Sequence, residues 1–354
     1  MVKILHAADF HLDTPFESLP AEKAVQRRRE QRELLMQLAR LVKKEQVQLV
    51  LLAGDLLDSG LSYHETYEAL RNALAEMEVP VFISPGNHDY YCSKSPYASM
   101  DFPENVHIFK SPIMDHVDLP DLGCRVWGAG FNAPLCFPLT ETFQAPRSDL
   151  VNLMVIHGEL GGDSYNPIKE KNIPAMNLDY LALGHVHTFS GIRQAGKTYY
   201  AYPGCTQGRG FDETGVKGVI IGTVGKGEAN MRFVPLGGRE YRIVKAGQAK
   251  LDQAIPRDCQ NHICRLVLTG QWSEKPDLEA IYNKYSNKFF HLTIKDETTP
   301  LRDLWQGLEE DNLKGLFLRR MREKYDAPGA DREQVLMALE YGLAAFENRE
   351  EWKA

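Results

Sequence analysis

The chain has 354 residues, 43% of them hydrophobic and 25% charged, with a formal net charge of −7. This is the composition of a globular protein long enough for two domains, and its acidic balance argues against a general nucleic-acid glue without excluding a nuclease. No apolar run approaches the roughly 18 residues of a membrane span, and residues 1–5 lack the apolar core and cleavage site of a signal peptide, so a cytoplasmic protein with no membrane partner is expected.

In chain order, residues 2–9 read as a strand. Residues 22–45 read as a helix with Leu34, Leu35, Leu38, Leu41 and Val42 on one face. Residues 47–53 form a continuous apolar run too short for a helix, hence a strand buried on both faces. A helix at 64–77 and a strand at 79–84 follow. This β-α-β-α-β order predicts a parallel sheet with its ligands at the carboxyl edge. Short strands at 106–110, 124–130, 151–156, 179–183, 197–202, 217–224 and 230–235, with little helix between them, predict a second sheet packed on the first. The polar loop from 158 to 174 is expected to face substrate.

Gly237-Gly238 marks a linker. Beyond it the pattern is strand 240–245, helix 250–254, strand 263–268, helix 277–286, strand 289–294, then helices at 301–325 and 331–350. Residues 1–236 and 237–354 are therefore expected as an α/β domain and a smaller α+β domain with a helical tail. Leu336, Leu339, Leu343 and Phe346 give the last helix an apolar face that either docks on a partner or packs on its own domain. The clusters Arg27-Arg28-Arg29 and Arg319-Arg320-Met321-Arg322 read as solvated helix faces, with phosphate contact as the alternative. The six cysteines form no Cys-x-x-Cys pair and are expected as reduced, buried thiols.

Five motifs carry the chemistry: Asp9-Phe10-His11, Gly54-Asp55-Leu56-Leu57-Asp58, Gly86-Asn87-His88-Asp89, His157-Gly158 and Gly184-His185-Val186-His187. Each ends an apolar run, so all are expected at strand ends around one site. The donors suit two divalent cations, an arrangement that breaks phosphate esters. Asp9 and His11, two apart in extended backbone, would project to one side. Gly54 permits a tight turn, and the two oxygens of Asp55 can bridge two metals. Asn87 offers an amide oxygen and His157 ends another strand; His185 and His187, on a glycine-preceded turn, can address different metals. Of the 11 histidines, His6, His64, His107, His116, His262 and His291 have no partner pattern and read as ordinary surface or core residues. The chain has no Gly-x-x-x-x-Gly-Lys-Ser/Thr loop and no Gly-x-Gly-x-x-Gly after the first strand, which argues against a nucleotide-binding domain.

In this order the motifs resemble the calcineurin-like metallophosphoesterase superfamily, over residues 1 to about 236. The resemblance implies a four-layer αββα sandwich with a smaller C-terminal α+β capping domain. It implies that Asp9, His11, Asp55 and His187 hold one metal and Asp55, Asn87, His157 and His185 the second. A hydroxide bridging the metals would be the nucleophile, and His88, paired with Asp58, the general acid. The stretches Asp9 to Phe16, Leu183 to His187 and Tyr202 to Gly218 resemble the DNA-repair exonuclease branch with its SbcD-like nucleases, and most of all its YhaO-type members. That branch usually has histidine in eukaryotes and archaea where this chain has Asp58, which is similar to the bacterial form. The branch implies manganese-dependent cleavage of DNA, an SMC-like coiled-coil ATPase partner and a homodimer, although no dimer patch is visible in the residues. The mixed Asp/His/Asn donors also accept iron or zinc. Two other readings of the same site are a small-molecule phosphodiesterase or phosphatase, and a low-activity subunit of the ATPase complex.

Overall fold

Alternate side chains of the first strand enter two different cores, and that double burial sets the layering. The structure is a computed structural model and describes residues 1–59, 62–301 and 303–346. In chain order the elements are β1 (Val2–Ala7), α1 (Ala21–Lys44), β2 (Leu49–Leu52), α2 (His64–Glu76), β3 (Val81–Ile83), α3 (Pro96–Ser99), β4 (Val106–Ile108), β5 (Asp115–Leu119), β6 (Cys124–Gly128), β7 (Val151–His157) and β8 (Tyr180–Gly184). Then come β9 (Arg193–Ala195), β10 (Thr198–Ala201), β11 (Gly218–Gly225), β12 (Glu228–Pro235), β13 (Tyr241–Ala246), α4 (Leu251–Ala254), β14 (Ile263–Trp272), α5 (Leu278–Tyr285), β15 (His291–Pro300), α6 (Leu313–Asp326) and α7 (Arg332–Phe346).

The first sheet has the order β12-β11-β1-β2-β3-β4, with β1 to β4 parallel and β11 antiparallel to β1. The second has the order β5-β6-β7-β8-β10-β9, with antiparallel strands at both edges. Ile4, Leu49, Leu51 and Phe82 meet Val126, Leu153 and Val155 between the sheets. Leu5, Val50 and Ile83 face Leu35 and Leu38 of α1 and Leu70 and Leu74 of α2. A strand has period two, so one apolar run serves both faces.

The expected αββα sandwich is present, with a thin fourth layer. The outer face of the second sheet is covered by Ala145, Ile168, Ile173, Met176 and Leu178, with a 3-10 helix over Glu170–Met176. The strands expected from residue 106 onward do not all form the second sheet. β4 pairs with β3, and the β11–β12 hairpin returns beside β1. Side-chain alternation reports that a strand is buried and carries no label for its sheet. β5 and β9 have mostly half-buried or exposed residues and lacked that alternation.

Arg27 is not a solvated residue. It is fully buried, donating to Glu30 Oε2 (2.5 Å), Gln207 Oε1 (3.2 Å) and the Gly208 carbonyl (3.3 Å). It lies on the helix face shared with Gln31 and Leu34, three to four residues apart. The cysteines carry no disulfide; Cys92 is half-buried and the other five are buried. Among the described residues no helix is long and apolar enough to cross a membrane.

The chain divides into two compact units. One holds residues 1–244, 255–266 and 282–293, the other 245–254, 267–281 and the described residues from 294 onward. β13, β14 and β15 form a three-stranded sheet in that order. In the second unit α6 and α7 pack through Leu318, Met321, Leu339 and Leu343, so the apolar face of the last helix is used within its own unit. The helix expected from 301 begins only at Leu313, where Asn312 Oδ1 accepts the Gly315 N–H (2.8 Å) as an N-cap. The end of the last expected helix, 347–350, lies outside the described residues.

His6 is a core residue. Its Nε2–H donates to the Leu183 carbonyl (3.1 Å) and its Nδ1 accepts the Tyr180 hydroxyl (3.0 Å). Burial pulls its pKa from 6.5 to about 3, against the opposing Leu183 contact. The unfolded chain therefore takes up a proton below pH 6.5 that the fold refuses, and stability is lost as pH falls from there. The metal-free protein should lose urea-unfolding free energy from pH 6.5 downward, and His6→Gln should show a shallower slope by up to about 1.4 kcal/mol per pH unit.

Candidate metal centre

The loops that leave the carboxyl ends of β1, β2, β3, β7 and β8 meet at one edge of the sheets. They continue to pair after the strands have ended. Asp9 N–H donates to the Gly54 carbonyl (3.0 Å), His11 N–H to Asp55 (2.9 Å) and Leu12 N–H to Leu56 (2.9 Å). The buried Asp89 carboxylate gathers the second and third loops. It accepts the N–H groups of Asp55 (3.2 Å), Leu56 (2.7 Å) and Gly86 (2.8 Å) and the Tyr97 hydroxyl (2.5 Å).

Asp9 and His11 are not extended, as their spacing suggested. Their φ angles are +54° and +44°, with +51° at Asp55 and +111° at His185. Such backbone costs about 1–3 kcal/mol per residue and persists only where surrounding contacts fix it; here the paired loops do so. The backbone also approaches the site where only glycine fits. A Cβ on Gly54 (φ +86°) would lie 2.5 Å from His157 Nδ1, and one on Gly184 1.7 Å from the Ala53 carbonyl oxygen.

Three imidazoles have their tautomer set from behind. His157 Nδ1–H donates to the Ala53 carbonyl (2.9 Å), His11 Nδ1–H to Asp58 Oδ1 (3.1 Å) and His187 Nδ1–H to Glu213 Oε1 (2.7 Å). Arg209 Nη2 also lies 2.9 Å from His187 Nδ1, but it has the closer Glu213 carboxylate (2.6 Å) as acceptor, so the proton belongs on the imidazole nitrogen. Each Nε2 then carries a lone pair pointed inward. His11 Nε2 faces His187 Nε2 at 3.2 Å, and His157 Nε2 faces Asn87 Oδ1 at 2.9 Å. Two acceptors at hydrogen-bond distance repel unless both bind a shared cation.

The carboxylates give the same answer. Asp55 Oδ2 lies 3.6 Å from His11 Nε2 and 3.5 Å from His157 Nε2. Burial, then the neighbouring Asp55, pushes the Asp9 carboxyl well above its usual range. Burial also pushes Asp55 up, but His157, His11 and His88 outweigh it and hold Asp55 low. Burial pulls both His11 and His185 to about 4, so they are neutral at pH 7, the form that ligates. Donor atoms of Asp9, His11 and His187 all lie within 4.8 Å of one another, as do those of Asp9, Asp55 and His157. The donor set fits divalent cations, with Asp55 adjoining both groups.

His185 donates its main-chain N–H to both Asp9 oxygens (3.0 and 3.1 Å), and its ring stands 5.2 Å from that of His157. His88 is exposed beside the donors. Its N–H donates to Asp55 Oδ1 (2.9 Å) and its Nδ1–H to the Asp58 carbonyl (3.0 Å). The Asp58 carboxylate itself contacts His11 and Arg209 Nη1 (3.3 Å) rather than His88. All nine residues singled out in the sequence thus lie around this edge.

Sequence reasoning gave no role to Arg209, Glu213, Asp89 or Asn166. Arg209 and Glu213, on the loop after β10, brace His187 and Asp58. Burial raises Glu213, but His187 and Arg209 outweigh it and hold its carboxyl far below the usual range. Asn166 Nδ2 donates to the His157 carbonyl (2.8 Å). The available signal was an acid and a base four residues apart in a glycine-rich segment after a strand of the same sheet edge. Glu213→Gln should weaken Mn²⁺ binding about 10- to 100-fold, read by calorimetric titration.

The profile described as "Calcineurin-like phosphoesterase" matches residues 2–189. The "Uncharacterized metallophosphoesterase YhaO" of Bacillus subtilis (strain 168) is 29% identical over 247 residues, 65% of this chain and 59% of that protein. The SbcD subunit of the SbcCD nuclease of the same organism is 27% identical over 271 residues, 64% of this chain and 67% of that protein. Its counterpart in the SbcCD nuclease of Staphylococcus epidermidis (strain ATCC 12228 / FDA PCI 1200) is 23% identical over 369 residues, 88% of this chain and 95% of that protein. The match to YhaO spans less than two thirds of that protein's length. The profile match takes in more than half of the chain and all five donor motifs: this chain belongs to the calcineurin-like phosphoesterases.

Proposed function

We propose that this protein is a manganese-dependent nuclease that hydrolyses DNA phosphodiesters, with residues 237–354 as a capping domain. The observation that carries the chemistry is the pair of lone-pair contacts, His11 with His187 and His157 with Asn87, braced from behind by Asp58, Glu213 and the Ala53 carbonyl. The choice of DNA rests on the likeness to two proteins named as nuclease subunits. Asp9, His11, Asp55 and His187 are proposed to hold one cation and Asp55, Asn87, His157 and His185 the other. When bound, two such cations supply a nucleophile at neutral pH and neutralise charge on the phosphate.

The remaining work falls to His88. Its Nδ1 is held by the Asp58 carbonyl, which leaves Nε2 as the face toward substrate. There the imidazolium form gives its Nε2 proton to the departing sugar oxygen and is left as the neutral ring with its proton on Nδ1. Asp58 is assigned a positioning role, through its main chain toward His88 and its carboxylate toward His11. An SMC-like coiled-coil ATPase is proposed as partner. The helical pair α6–α7, with Leu313, Leu316 and Met337 exposed, is its proposed seat. Self-association as a homodimer is proposed from the same likeness.

The test is cleavage of end-labelled duplex and single-stranded DNA in Mn²⁺, beside methyl p-nitrophenyl phosphate, whose leaving group needs no proton. His88→Ala should lose about 100- to 10,000-fold on DNA and little on the nitrophenyl ester. Intact DNA beside a hydrolysed ester overturns the nuclease reading. It would favour a small phosphodiester substrate, the reading that the net charge of −7 supports.

A further inference from the structure

Phe137 is 89% exposed and Leu135 62%, while Cys136 between them is buried. Single exposed apolar residues are ordinary on protein surfaces; this pair differs in how it is held. Prolines bracket it in Pro134-Leu135-Cys136-Phe137-Pro138, which fixes two φ angles and restricts the residue before each. The Cys136 N–H donates to the Ser164 carbonyl (3.1 Å), and its carbonyl accepts the Asn166 N–H (2.9 Å). The segment is thus tied to residues 164–166 through both main-chain groups of Cys136 while Leu135 and Phe137 stay exposed, at low entropic cost for binding.

The clamp leads straight to the metal centre. Asn166 is fully buried and bonds the His157 carbonyl (2.8 Å), while its Oδ1 accepts the Leu139 N–H (2.7 Å). Tyr165, beside it, lies over the His185 ring at 4.9 Å and 34°. A stiff aromatic tip therefore stands one loop away from two proposed ligands. Two side chains fall far short of the roughly 1,000 Å² of a stable protein interface, but they match the flat apolar face of one nucleobase.

We propose that Phe137, with Leu135 beside it, stacks on a base of the DNA strand whose phosphate is at the metal centre. The inference rests on the nuclease reading and adds how the strand is gripped. A stacked base must be unpaired, so single strands and frayed ends are the preferred substrates. Stacking is indifferent to base identity, so little sequence preference results.

The test compares wild type, Phe137→Ala and Phe137→Trp. Each is measured for the Kd of a fluorescein-labelled oligothymidylate, KM and kcat on the unlabelled strand, and turnover of methyl p-nitrophenyl phosphate. Phe137→Ala should raise Kd and KM about tenfold, with kcat and ester turnover unchanged, and Phe137→Trp should restore both. An oligonucleotide made wholly of abasic sites should bind wild type and Phe137→Ala equally. If Phe137→Ala binds and cuts the oligothymidylate as wild type does, the stacking role is overturned while the nuclease reading stands. If wild type hydrolyses the ester but neither binds nor cuts DNA, the nuclease reading fails and the stacking role with it.

Discussion

Asp9 and Asp55 are buried against one another, and the fold has to keep two carboxylates where water cannot reach them. Burial alone would protonate both. His157, His11 and His88, the last also through its main-chain N–H, hold Asp55 below the usual carboxylate range, whereas Asp9 is pushed toward its neutral form. Unpaired charge of this kind is far more costly to bury than apolar surface. Divalent cations held by these residues would remove the conflict, since they would offset carboxylate charge and give the facing lone pairs a shared partner. The architecture behind the site serves this one electrostatic demand.

That demand explains why so much of the support is polar and buried. Asp89 takes four main-chain N–H groups and one phenol hydroxyl, which holds the Gly54–Leu57 turn against the Gly86 turn. Glu213 and Asp58 fix which nitrogen of His187 and His11 carries the proton. Left-handed backbone at Asp9, His11 and Asp55 is the local cost of aiming these groups inward. The cross-loop pairing from Ala7 to Leu12 offsets it by continuing the β1–β2 ladder past the ends of both strands.

The parts legible in the sequence were those where one residue type has one physical meaning. Runs such as Val50-Leu51-Leu52-Ala53 are too apolar for a surface and too short for a helix. Asp, His and Asn directly after such runs have few uses other than ligation. The illegible parts depend on three-dimensional neighbours. Nothing in Val106–Ile108 says that it pairs with β3 rather than joining the second sheet. Arg27 looks like its solvated neighbours, yet a one-residue rotation along α1 puts it beside Gln207. Extended backbone at Asp9-Phe10-His11 was the natural assumption after a strand, and only the partner loop shows why it fails. Arg209 and Glu213 became meaningful only when β10 was seen to run parallel to β8, which brings their loop behind His187.

The contact between Gly184 and the Ala53 carbonyl has a consequence for how sequences of this fold diverge. No Cβ fits there, so the two sheets touch main chain to main chain beside the candidate metal centre. The spacing between Asp9 and Asp55 on one side and His157 and His185 on the other is therefore gauged by peptide groups. Exchange of a methylene in the inter-sheet core shifts side chains and packing, but it does not reset that gauge. Core positions such as Leu51 or Val155 are free to drift in volume together while the distance across the candidate metal centre stays the same.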